Sequence, residues 1–255
     1  MGKISPLYAL QAAWVRYKNK GGMYTVFFIV GLFVSFAASS FALAIGGALT
    51  FLNTTLGSMV AALLVGVVST FITLGYAHFA RQDEQGLQPV FNNFFDGFKS
   101  HTKTVIAVAL VVTLVSQFIQ LGLTSDVPVF EMGEETGDFE EMLMALEDYS
   151  ETIMPYVPQI LISVVLLMLF SLFVMFAPYH SSFTGEGLAY SLKWSAKSVL
   201  GNLLPILFTY LAAIIIGTFL VVLTFGLAVL VFAPYLNLLQ YELYDQLSPK
   251  HSRQI

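Results

Sequence analysis

The chain has 255 residues, 57% of them hydrophobic and 11% charged, with a net charge of −5 and a mean hydropathy of +0.78. A soluble domain carries about 25% charged residues and could not hide this much apolar surface, so an ordinary water-soluble fold is excluded and no nucleic-acid partner is expected. There is no cysteine, which excludes disulfides, thiolate catalysis and cysteine-ligated metals.

Only helices and closed barrels satisfy the backbone inside a bilayer. Barrel strands alternate over about ten residues, whereas here the apolar stretches run continuously for roughly twenty, the length of one helical crossing. The class read from the sequence is all-α: a polytopic membrane helical bundle.

In chain order, the opening stretch SPLYALQAAWVRYKNK sets Leu7, Leu10, Trp14 and Tyr17 on one helical face beside Arg16, Lys18 and Lys20. Such a stripe suits the headgroup layer, where Trp and Tyr concentrate. Spans are expected at about 23–49, 56–79, 104–124, 157–183, 203–223 and 225–244, forming one integral membrane domain over residues 1–255. Ala42-Leu43-Ala44 has the form of a signal-peptide cleavage site. The apolar run continues through Leu52, however, and the segment reads as a span. Only Thr224, Phe225 and Gly226 separate the last two spans, which therefore form a tight hairpin. Before the third span, EQGLQPVFNNFFDGFKSHTK repeats the opening pattern. Before the fifth, GEGLAYSLKWSAKSVLGN does so again, with Leu188, Leu192 and Ser195 on one face. The plan is an interfacial helix followed by a two-span hairpin, three times over.

The basic residues fix an orientation. Lys3, Arg16, Lys18 and Lys20 precede the first span. Arg81, Lys99 and Lys103 lie between the second and third, Lys193 and Lys197 between the fourth and fifth, and Lys250 and Arg253 after the sixth. Basic loops stay cytoplasmic, so six spans with both termini inside satisfy the rule without exception. The connection at 125–156 lies on the opposite side. It holds ten of the 16 acidic residues: Asp126, Glu131, Glu134, Glu135, Asp138, Glu140, Glu141, Glu147, Asp148 and Glu151. Within it Phe139, Met142, Leu143, Leu146 and Ile153 keep helical spacing. Asp138 and Glu141 have the form of a cap with its reciprocal partner, and Pro155 and Pro158 end the helix. The reading is a solvated helix with an apolar stripe, and the carboxylates do not match a calcium loop.

Ionisable residues within spans mark transport paths, and here the spans hold almost none. His78, Glu242 and Asp245 lie at span ends. Gln117 and Gln120 stand three apart on one face of the third span, placed to bond a neighbouring helix or a ligand. His78 and His180 follow Tyr76 and Tyr179 at corresponding hairpin ends, and His101 and His251 lie in basic segments. No cofactor or metal set is read, and Ser181 and Ser182 beside His180 do not complete a catalytic triad.

Two segments stand out: Met-Phe-Ala-Pro-Tyr-His at 175–180 and Val-Phe-Ala-Pro-Tyr-Leu at 231–236. A proline inside a helix removes its own donor and frees the carbonyl four residues earlier, here at Val174 and Leu230. Pro178 and Pro234 are thus expected helix kinks, with the hydroxyls of Tyr179 and Tyr235 as compensating donors. Gly75-Tyr76 is a softer version at the end of the second span.

The segments ALQAAWVRYKNK, LGY at Leu74, FFDGFK at Phe94, LAYSLKWSAKSVLGN and VLTFGLAVLVFAPYLNLLQYELYDQL together resemble a family of uncharacterised bacterial six-span integral membrane proteins. More distantly, they are similar to the membrane domain of glycerophosphodiester phosphodiesterases. The resemblance implies a bacterial inner-membrane location and no activity, since the catalytic phosphodiesterase domain has no counterpart. Expected partners are the lipid bilayer and other membrane proteins; the oligomeric state is not read. The expected role is a non-enzymatic scaffold, assembly or regulatory component of the membrane. The alternative is a carrier or flippase for a lipid-like or uncharged small molecule, with a cavity lined by Gln117, Gln120, Tyr179 and Tyr235.

Overall fold

The computed structural model describes residues 2–50, 54–128 and 139–248. Their regular structure is helical throughout. The helices are α1 (Pro6–Thr50), α2 (Thr54–Glu84), α3 (Thr102–Thr124), α4 (Phe139–Ile153), α5 (Val157–Val174), α6 (Ala177–Thr184), α7 (Leu188–Leu200), α8 (Leu203–Leu223) and α9 (Val229–Leu247), with 3-10 helices at Phe91–Phe98 and Met154–Tyr156. Five stretches are long and apolar enough to cross a membrane: Pro6–Leu49, Thr55–Glu84, Thr102–Thr124, Leu143–Thr184 and Leu203–Leu223. The α9 helix, apolar at its start and carrying Glu242 and Asp245 near its end, is not among them.

Several local expectations change. The opening stretch and the first span are one helix, α1, interrupted at Lys20 (φ −134°, ψ 29°) immediately before Gly21 and Gly22. The α2 helix runs through Gly75 without a break. Gly75 serves close approach instead: a Cβ there would lie 2.6 Å from the Phe94 carbonyl oxygen and 2.7 Å from the Phe27 ring. The fourth expected span is divided, because α5 stops at Val174 and α6 restarts at Ala177. A proline's fixed φ and missing N–H suit the first helical turn, and Pro178 occupies that turn of α6. Pro234, by contrast, sits inside α9. The turn after α8 closes with Phe225 and Gly226 at positive φ (51° and 91°). Gly226 N–H donates to the Val221 carbonyl (2.8 Å) and Phe225 N–H to that of Val222 (3.2 Å), a Schellman pattern.

The chain forms two compact units, one of residues 1–113 and 173–255, the other of residues 114–172. In the larger unit the core gathers where the aromatic residues and charges of α1, α2, α9 and the 91–98 helix meet. Phe94 is fully buried and stacked between Phe27 (4.0 Å, 14°) and Phe79 (4.2 Å, 11°). Tyr24 and Tyr76 pack edge-on at 5.8 and 5.9 Å. Burying one such ring is worth about 1.5–3 kcal/mol, with about 0.5–1.5 more for each well-placed aromatic pair. The buried face of α1 begins Ala9, Ala13, Tyr17, while Leu7 and Trp14 are exposed. The inward face is thus a different one from the Leu7–Trp14 stripe, which stays on the outer surface.

Charged groups bind the same three helices. Arg16 Nε lies 2.6 Å from Glu242, and its Nη1 donates to the Ala80 carbonyl (2.9 Å). Lys20 pairs with Asp83 (2.6 Å), and Tyr241 donates to Glu84 (3.0 Å). The extended N-terminus is tied down as well. Ile4 N–H donates to Asn202 Oδ1 (3.0 Å) and Ser5 N–H to Gln246 Oε1 (2.8 Å).

The smaller unit holds the end of α3, α4 and most of α5. Tyr149 donates to the Pro128 carbonyl (3.1 Å), and the Gln159 amide donates to the carbonyl of Leu123. The α4 helix ends at Ile153, just before Pro155 as expected. Glu131, Glu134, Glu135 and Asp138, and with them the expected cap, lie outside the described residues, as do Lys250, His251 and Arg253.

Candidate functional site

The two Phe-Ala-Pro-Tyr segments each border a cavity of the larger unit, and side chains of other helices satisfy backbone groups at the α5–α6 break and at the internal proline of α9. At the first, the α5–α6 junction, Ser195 of α7 uses its hydroxyl twice. It donates to the Phe173 carbonyl (2.7 Å) and accepts from Phe176 N–H (3.2 Å). Gln240 of α9 donates its amide to the Met175 carbonyl (3.2 Å). The donors thus come from other helices, and the expected role of Tyr179 is not observed: its hydroxyl is buried without a partner. Its ring stacks on Tyr244 (5.4 Å). At the second, the freed Leu230 carbonyl accepts from the Thr25 hydroxyl of α1 (3.3 Å), and that hydroxyl is linked in turn to Tyr17 (2.8 Å). Tyr235 instead donates to the Leu10 carbonyl (3.3 Å) and packs edge-on to Trp14 (6.3 Å).

The cavity beside Pro234, about 310 Å³, is lined by Leu10, Trp14, Gly217, Val231, Phe232 and Tyr235, with Ala213, Ile216, Leu220 and Ala228 completing its wall. It is almost wholly apolar, and Phe232 packs directly on Gly217, where a Cβ would overlap its ring. The cavity beside Pro178, about 210 Å³, is lined by Ser69, Thr70, Thr73, Met175, Pro178, Tyr179 and Gln240. Its wall is mainly apolar but bears the Ser69, Thr70 and Thr73 hydroxyls and the Gln240 amide, and among the described residues no charged side chain lines it. A third, about 170 Å³, lies among Arg81, Phe183, Thr184, Tyr241, Tyr244, Asp245 and Ser248, with the Arg81 guanidinium 4.5 Å from the centre of the Phe183 ring.

Tyr179 and Tyr235 therefore line two separate cavities. Gln117 and Gln120 belong to the smaller unit, Gln117 half-buried and Gln120 exposed. The histidines take different partners. His78 Nε2 is 2.8 Å from the Ser182 hydroxyl, and His180 stacks on Trp194 (4.2 Å, 10°). Among the described residues no group of three or more His, Asp or Glu is placed to hold a metal ion.

Asp96, in the 91–98 helix, anchors the connection between α2 and α3. It accepts from Gln82, Asn93 and Lys99, each at 2.8 Å. Desolvation pushes its carboxyl up, but the three hydrogen bonds and the Lys99 charge outweigh that effect and hold it down at about 2.

Sequence reasoning placed Ser195 on one face of its segment without foreseeing its role at the α5–α6 break, and missed Thr25 and Asn202 altogether. The buried face of α7 is Ser191, Ser195, Ser198 and Val199, all fully buried, and not the expected Leu188–Leu192 stripe. Serines spaced four and three apart in an amphipathic segment were the available signal. No protein-family model, curated protein or solved structure matches the chain, so the resemblance rests on the residues quoted for it.

Proposed function

We propose that this chain is a six-span membrane protein of three hairpins, with both termini cytoplasmic, that carries a lipid-like molecule between leaflets and performs no chemistry of its own. The observation that supports the reading most is the apolar cavity at Pro234. A helix with an internal proline, a carbonyl held by a side chain of α1 and an almost purely apolar chamber of about 310 Å³ make a slot for an acyl chain. That volume lies at the small end of ligand sites. The bilayer is the immediate source of such chains. Counting α9 as the sixth span places Lys3, Arg81 and Lys193 on one side and connects α8 to α9 through the Phe225–Gly226 turn.

The test is lipid exchange between leaflets in vesicles containing the purified protein, followed with a fluorescent short-chain phospholipid and an external quencher. Exchange faster than in protein-free vesicles is expected, with loss of the acceleration in Ala228→Phe, which fills the chamber. Equal rates with and without folded wild-type protein would refute the carrier reading.

The scaffold reading has one observation in its favour. The α8 helix exposes Leu204, Phe208, Ile215, Phe219 and Val222 along its whole length, each more than half exposed, a surface that another membrane protein could cover. Repeated pull-downs in mild detergent that return no protein partner would count against it.

A further inference from the structure

From the cavity beside Pro178, whose mainly apolar wall carries the Ser69, Thr70 and Thr73 hydroxyls and the Gln240 amide, we infer a second binding site, one for a small uncharged molecule that both donates and accepts hydrogen bonds, such as an alcohol or a primary amide. The site does not depend on the lipid-carrier reading, since it is a different cavity with a different lining.

Thr73 carries the argument. A threonine hydroxyl in a membrane helix ordinarily back-bonds to the carbonyl four residues earlier. Thr70 does so to Gly66 (2.8 Å), Thr209 to Pro205 (2.7 Å) and Thr224 to Leu220 (2.8 Å). Thr70 lines the cavity with its hydroxyl already committed. Thr73, one turn further along α2, lines the same cavity and, like Ser69, has no hydrogen-bond partner among the described residues. Ser69 is exposed and Thr73 half-buried, but around a membrane span the surroundings are lipid, which offers no partner, so uncommitted hydroxyls facing one cavity are costly unless an occupant satisfies them. Gln240, on the opposite wall, spends one amide N–H on Met175, leaving its other N–H and its carbonyl. Donors and acceptors are therefore both on offer.

The lining also states what is refused. Among the described residues no Lys, Arg, His, Asp or Glu borders the cavity, so a charged ligand would shed its hydration with no counter-charge to replace it. A purely apolar ligand would leave the hydroxyls and the Gln240 carbonyl unpaired. The volume of about 210 Å³ suits a molecule of a few non-hydrogen atoms, or several waters. Because Gln240 also caps the Met175 carbonyl, the occupant sits directly against the α5–α6 break.

The experiment uses the full chain in lipid nanodiscs, with ligand-observed saturation-transfer NMR and empty nanodiscs subtracted. The probes are butyramide, butyrate and butylammonium, which share a chain and differ in the polar end. Butyramide is expected to bind, with the two ions at least tenfold weaker. Thr73→Val keeps shape and removes only the uncommitted hydroxyl. It is expected to weaken butyramide about five- to tenfold, the value of one hydrogen bond, while Ala228→Phe leaves it unchanged. Ser69→Ala is the second variant should Thr73→Val fold poorly, with the same direction expected. Equal binding of butyrate, no butyramide signal above empty nanodiscs, or butyramide affinity unmoved in the folded Thr73 or Ser69 variant would each overturn the site. Loss of leaflet exchange in Ala228→Phe with butyramide binding intact would separate the two proposals.

Discussion

Ser195 and Ser198 make a matched pair for testing how the α5–α6 break is held. Both are fully buried on α7, three residues apart, and both lose the same atom on substitution by alanine. Ser195 holds the Phe173 carbonyl at 2.7 Å and the Phe176 N–H at 3.2 Å, whereas the Ser198 hydroxyl has no partner. Ser195→Ala therefore strands one buried acceptor and one buried donor, at about 1–3 kcal/mol each. Some relaxation at the break places the expected loss near about 2–3 kcal/mol. Ser198→Ala strands nothing and should lie within about 0.5 kcal/mol of wild type. The intrinsic helix gain from serine to alanine is common to both and cancels in the comparison. Unfolding in a fixed detergent, followed by far-UV circular dichroism, gives the difference directly. A Ser198→Ala loss equal to that of Ser195→Ala, or a Ser195→Ala protein as stable as wild type, would refute the hydroxyl bridge.

Arg16→Met or Glu242→Leu alone should cost about 3–5 kcal/mol by leaving a buried charge uncompensated, and the double variant should recover part of the loss; the same unfolding assay checks both. Gly75→Ala should destabilise by about 1–3 kcal/mol, because its methyl group meets backbone at Phe94 and the Phe27 ring, whereas Gly22→Ala, with open space around it, should not. For Asp96 the folded carboxyl sits at about 2, below its ordinary 3.8. Its contribution is therefore full above pH 4 and fades as the pH falls toward 2. Asp96→Asn should flatten that limb of a stability–pH curve, and an unchanged slope would contradict the assignment.

Much of the architecture was legible because hydrophobic length is a strong signal. The expected spans at 56–79, 104–124 and 203–223 fall within α2, α3 and α8, and the Thr224–Gly226 turn lies where glycine permits positive φ. What the sequence concealed were relations between distant residues. Nothing local says that Thr25 will serve the Leu230 carbonyl, or that Asn202 will hold the backbone of Ile4. The Leu7–Trp14 stripe, read as an interfacial face, stays at the surface except at its Tyr17 end, whereas the inward Ala9–Ala13 face was not legible, because only packing against α2 and α9 shows that small alanines permit close approach there. Both Phe-Ala-Pro-Tyr segments were visible as expected helix kinks. That one would restart a helix and the other lie within one depended on Ser195 and Thr25, which belong to other helices.

The Arg16–Glu242 pair also sets a schedule for biosynthesis. The partners are 226 residues apart in sequence, so Arg16 leaves the ribosome long before Glu242 is made. At about 5–20 residues per second, the interval is roughly ten to forty-five seconds. Throughout it, α1 carries a cation whose Glu242 partner does not yet exist, and an unpaired charge is costly to move out of water. Arrival of α9 discharges it and lets the first helix settle against the last. A chain cut short before residue 242 would keep the unpaired guanidinium, a distinguishing mark by which a membrane protease could tell an unfinished copy from a complete one.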